Sequence, residues 1–89
     1  MNKTNFIFII LCIPTLLFSQ ISRIDSLKSI ISTQADDSTK VENLLELSKL
    51  YYDSDTKEAI KIAEQAVHLG RSIGYLKGVA YGLKNIGIA

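Results

Sequence analysis

An all-α fold built from repeated antiparallel helix pairs is predicted by three features of these 89 residues. Apolar side chains recur at i, i+3, i+4 and i+7 in four segments, the spacing of one buried helical face. No segment alternates apolar and polar residues over a useful length, as a half-buried strand does. Positions also recur: Leu44, Leu47 and Ser48 are matched 39 residues later by Leu83, Ile86 and Gly87. Between them, Ala59, Ala63 and Ala66 share one face of another helix.

Residues 1–19 read as a secretory signal rather than as fold material. Lys3 gives a positive start, Phe6 to Phe18 form an apolar run interrupted by Pro14 and Thr15, and Ser19 is small. The run falls short of the roughly 20 apolar residues of a membrane span. Cleavage after Ser19 is the preferred site and after Gln20 the second; an uncleaved anchor is the weaker reading. Cys12 follows Leu11, where a lipid-modified cysteine needs a small neighbour, so it reads as a passive member of the run. Without it the mature chain has no cysteine and no disulfide.

The first helix, in a leading segment of residues 20–36, spans about Ile21 to Ser32, with Ile24, Leu27, Ile30 and Ile31 on one stripe. Thr33 to Asp36 breaks it. The second helix begins near Asp37, where Thr39 and Glu42 have capping-box spacing. Its stripe is Val41, Leu44, Leu45, Ser48, Tyr51 and Tyr52. Asp55 is an N-cap for the third helix, Thr56 to about Ile73, and Glu58 suits the positive end of its dipole. Ala59, Ile62, Ala63, Ala66, Val67 and Gly70 form the inner face of that helix. Gly74 can take the left-handed conformation that closes it. A fourth helix starts near Tyr75, with Leu76, Val79, Ala80, Leu83, Ile86 and Gly87 as its stripe.

Small residues on a buried face require the neighbouring helix to come close, and Tyr51 and Tyr52 are large enough to fill the space opposite. With these positions the chain resembles the tetratricopeptide repeat family. Leu44, Leu47, Ser48 and Tyr51 match the first helix of its motif, and Ala59, Ala63 and Ala66 match the second. Leu83, Ile86 and Gly87 match the opening of a following repeat. The departures are Leu44 and Leu83 where tryptophan is common, Ala63 for an aromatic, no closing proline, and a period of 39 against about 34. The resemblance covers residues 37–89, one repeat plus the first helix of a second, and implies a fragment of an α-solenoid. The order of signal, short helix, Asp36-Asp37-Ser38-Thr39-Lys40, long-period repeat and Ile73-Gly74-Tyr75-Leu76-Lys77-Gly78 is similar to the N-terminal exported regions of Bacteroidetes-type sensor histidine kinases and regulators.

Without Lys3, nine basic side chains face nine acidic ones, which argues against nucleic acid or anionic lipid as the main partner. Asp36 to Glu64 holds eight acids and four lysines, whereas Arg71 to Ala89 holds three cations and no acid. His68, the single histidine, stands four residues after Glu64, which offers a metal two ligands where three or four are needed. Asp53-Ser54-Asp55 lacks the glycine of a calcium loop and is explained by helix capping. The five glycines are not followed by Lys and Ser or Thr and no strand precedes them, so they form no phosphate loop and read as turn and close-packing residues. No nucleophile, base and acid set stands out, and neither an enzyme activity nor a cofactor is expected.

The expected function is that of an exported scaffold, periplasmic or secreted, that binds a protein or peptide. The resemblance implies a concave surface lined by the first helix of each repeat. Its candidate partner-binding residues are Asn43, Glu46, Lys49 and Leu50, with Lys84 and Asn85 in the next repeat. Leu83, Ile86 and Ile88 are expected to lack a covering helix, so further repeats of a longer chain are expected partners as well. The alternative reading is the periplasmic sensor region of a membrane-bound two-component histidine kinase or transcriptional regulator, attached through a C-terminal part.

Overall fold

The computed structural model describes residues 21–89, all of whose regular structure is helical. The proposed signal, Cys12 and both cleavage sites lie outside the described residues. Helix α1 covers residues 21–33. It is followed by α2 (Ser38–Leu50), α3 (Thr56–Ser72) and α4 (Leu76–Ile88). No helix among the described residues is long and apolar enough to cross a membrane.

Local chemistry sets each boundary. Asp37 caps α2 by accepting from the Lys40 amide at 3.1 Å. The expected box of Thr39 and Glu42 is not the device used, because the helix already starts at Ser38 and Glu42 lies in its second turn. Asp55 caps α3 by accepting from the Glu58 amide at 3.1 Å. At the far end of α3, Gly74 has φ +74°, a conformation open to glycine at little cost. There the Tyr75 amide donates to Gly70 at 2.7 Å and the Gly74 amide to Arg71 at 3.3 Å. This pair of bonds is the Schellman closure, and it turns the chain sharply into α4.

The core is formed where α1, α2 and α3 meet. Val41, Leu44, Leu45, Leu47, Ile62 and Ala66 are buried together, and Ile24, Leu27 and Ile31 of α1 pack against them. All six residues expected on the inner face of α3 are buried: Ala59, Ile62, Ala63, Ala66, Val67 and Gly70. Ser48 was expected to matter for its small size, but its hydroxyl also donates to the Ala59 carbonyl at 2.8 Å, inside the α2–α3 contact. Tyr51 and Tyr52 are not on the helix itself; α2 ends at Leu50 and both rings are half-buried in the turn that follows. The Lys28 amine of α1 stands 5.4 Å from the centroid of the Tyr51 ring.

The Tyr52 hydroxyl is buried with no hydrogen-bond partner among the described residues, and burial pushes its pKa above the ordinary 10.0. An unsatisfied buried hydroxyl costs about 1 kcal/mol or more, so Tyr52→Phe should raise the thermal midpoint. The raised pKa adds a pH signature. Stability is full below pH 10.0 and falls as the pH climbs through the folded-state pKa, and the Phe variant should lose less there. Melts across the alkaline range check both effects; a lower midpoint for the variant at neutral pH would mean that the hydroxyl is satisfied.

The docking of α4 differs from the sequence expectation. Its buried residues are Gly78, Gly82 and Asn85, whereas Leu76 is 76% and Leu83 is 49% exposed. Leu76, Ala80 and Gly87 of the expected stripe are therefore exposed, while Leu83 borders a crease against α3 and Val79 and Ile86 are half-buried. Close approach is the physical reason. A Cβ on Gly78 would stand 2.5 Å from Val41 Cγ1, and one on Gly82 would stand 2.5 Å from Val67 Cγ2. Two bare helix turns bring the backbone of α4 onto its neighbours, and no larger side chain fits at those crossings. Val41 beside Gly78, and Leu45 beside Asn85, show that α4 runs alongside α2 in the same direction. It packs on α3 as well.

Candidate interaction groove

Because α2 and α4 lie side by side, a shallow groove runs between them. From α2 it is lined by Glu42, Leu45, Glu46 and Lys49, which share one helical face by their spacing of three and four. From the other side come Tyr75, which precedes α4, and Lys77, Gly78 and Tyr81. Gly78 sets the width, since it allows α4 to touch Val41.

The two carboxylates of the groove are held in place. Tyr75 Oη donates to Glu42 Oε1 at 2.7 Å, and this bond tethers the start of α4 to α2. The same bond, with smaller effects of desolvation and of the Glu42 charge, raises the Tyr75 pKa. Arg23 of α1 pairs with Glu46 through Nη2 and Oε1 at 2.7 Å, on the exposed edge of the groove. Lys49 and Lys77 are exposed and make no ion pair among the described residues. Lys84 Nζ sits 6.0 Å from the centroid of the Tyr81 ring, which is itself 45% exposed.

The candidate binding residues are distributed unevenly. Glu46 and Lys49 line the groove, and Lys84 is exposed beside Tyr81. Asn43 faces the end of α1 instead, where its amide donates to Gln34 Oε1 at 3.0 Å, and Leu50 is half-buried. Asn85 is not solvent-facing. It is 2% exposed, and its Nδ2 donates to the Leu45 carbonyl at 3.4 Å, which makes it part of the α2–α4 joint. The chain on both sides of Asn85 reads as an apolar stripe, and only the rotation of α4 onto its glycines turns this amide inward. Sequence reasoning missed Glu42, Leu45, Tyr75, Lys77 and Tyr81 as groove residues. The one available signal was the i, i+4, i+7 series of Glu42, Glu46 and Lys49.

The repeat positions divide in the same way. Leu44, Leu47, Ser48, Ala59, Ala63 and Ala66 are buried and Tyr51 is half-buried. On α4, Ile86 is half-buried, while Leu83 and Gly87 are exposed. A crease between α3 and α4 is lined by Val67, Leu83 and Ile86 with Glu64, His68 and Arg71 at its polar edge. Among the described residues, no group of three or more His, Cys, Asp or Glu side chains could hold a metal ion. Comparison with protein-family models, curated proteins and solved structures finds no match to this chain.

Proposed function

We propose that the chain is an exported tetratricopeptide-repeat scaffold that binds a protein or peptide in the groove between α2 and α4. The observation that carries this reading is the return of α4 beside α2, in the same direction, with α3 packed on both. That is the relation between first helices of successive repeats in a helical solenoid, whose stacked first helices line a concave face. The signal read in residues 1–19 supports export. The exposed Leu83 and Ile88, with the crease beside Ile86, form the surface on which a further repeat of a longer chain packs. Tyr81 and Leu45 supply apolar contact within the groove, and Lys49 and Lys77 supply hydrogen-bond donors.

Selection of peptides from a random display library against the purified protein, followed by amide chemical-shift mapping, tests the reading. Bound peptides should shift Glu46, Lys49, Lys77 and Tyr81, and Tyr81→Ala should weaken them about tenfold, as loss of an interface aromatic does. Shifts confined to α3 or to the outer face of α4 would reject the groove.

A further inference from the structure

The charges in the groove are not equivalent, and the difference points to a partner class. Glu46 is neutralised by Arg23 at 2.7 Å, and Glu42 already accepts the Tyr75 hydroxyl at 2.7 Å. Both carboxylates therefore have part of their hydrogen-bonding capacity filled from within the chain. Lys49 and Lys77, one on each wall, have no carboxylate within ion-pair distance among the described residues. The lining itself holds two carboxylates and two lysines, with Arg23 paired to Glu46 at one edge and Lys84 beside the Tyr81 ring at the other. Of these cations only Lys49 belongs to the acidic stretch of the chain; Lys77 and Lys84 come from the acid-free stretch after Arg71, and the packing of α4 beside α2 brings them to the groove.

From this we infer that the groove takes an acidic peptide segment, with Lys49 and Lys77 pairing its carboxylates across the two walls and the exposed Tyr81 ring packing against an apolar side chain between them. The inference rests on the scaffold reading above. A phosphate backbone fits the groove less well, because a continuous row of phosphates meets Glu42 and Glu46 on the α2 wall. A basic segment meets two unpaired lysines and finds each carboxylate already engaged through one oxygen. Exposed ion pairs of this kind are individually weak and screened by salt, so the signature is a modest affinity that falls steeply with ionic strength.

Fluorescence anisotropy with labelled peptides of equal length tests it. All carry the same leucine and phenylalanine positions, and they differ only in having glutamate, serine or lysine at the intervening sites. The glutamate peptide should bind tightest, and Lys49→Glu with Lys77→Glu should weaken it about tenfold, as reversal of two rim charges does. Lys57→Glu with Lys61→Glu, an equal charge change on the exposed side of α3, should leave binding within twofold. Circular dichroism melts of both double variants establish that they are folded. Equal weakening by the α3 variant would assign the effect to net charge and overturn the inference. Serine-peptide binding as tight as that of the glutamate peptide, and indifferent to Lys49 and Lys77, would overturn the acidic class and leave the scaffold standing. Equally tight binding of a single-stranded oligonucleotide would overturn the peptide class. Failure of every peptide at millimolar protein would remove both readings.

Discussion

Gly78→Ala is expected to lower the unfolding free energy by about 2 kcal/mol, a large effect for one methyl group. Two opposing terms set its size. Alanine in a helix interior is favoured over glycine by about 1 kcal/mol, which acts to stabilise the variant. The added Cβ, however, would lie 2.5 Å from Val41 Cγ1 and 2.6 Å from Tyr75 Cδ2. Val41 is fully buried, and the Tyr75 ring is tethered by its hydroxyl to Glu42, so neither can yield cheaply. Overpacking of a tight core costs about 1–3 kcal/mol, and two constrained neighbours put this site at the upper end. Gly87→Ala is the control. Nothing lies within 4 Å of a Cβ placed there, so the propensity term acts alone and the variant should gain about 0.5–1 kcal/mol. Urea unfolding of the 89-residue chain and both variants reads these values. A Gly78 variant as stable as the parent would show that α4 is not held at this spacing.

Leu44→Ala should cost about 3 kcal/mol and, in a domain of this size, remove most of the stability. Leu44 is 5% exposed and packs with Val41, Leu45, Leu47, Ile62 and Ala66, so its truncation leaves a cavity that fixed helices cannot close. Leu83→Ala, at the position 39 residues later, should cost less than about 1 kcal/mol because much of that side chain already meets solvent. Near-equal losses at the two sites would mean that the outer face of α4 is covered in solution, and the concentration dependence of the melt would then reveal association.

The pairing of Leu44 with Leu83 marks the limit of what could be read along the chain. Motif matching treats them as equivalent, since it records residue type and spacing, whereas burial depends on which helices lie alongside. The inner face of α3 was legible in full because six small or apolar residues at helical spacing leave only one way to turn that helix. The apolar stripe read on α4 fails at Leu76 and Ala80, which are exposed, while its glycines read as turn and close-packing residues without a stated partner. Yet Gly78 and Gly82 are the contact surface. Glu42 was read as a capping residue, and only the approach of Tyr75 gives it a different partner.

Helix positions, and their ends apart from that of α2, which stops at Leu50 before Tyr51 and Tyr52, were thus legible in the amino-acid sequence alone. Periodicity marks the helices, Asp37 and Asp55 satisfy free amides at two of their starts, and Gly74 closes α3 with a backbone geometry that other residues rarely adopt. These are interactions over a few residues and need no knowledge of the rest of the fold. The groove is different in kind. Its walls come from segments more than 25 residues apart, and its width is set by the bare backbone of Gly78 against Val41. Its charge balance depends on Arg23 reaching Glu46 from another helix. Such long-range contacts exist only once the helices have packed, so the interaction surface was decided by tertiary structure.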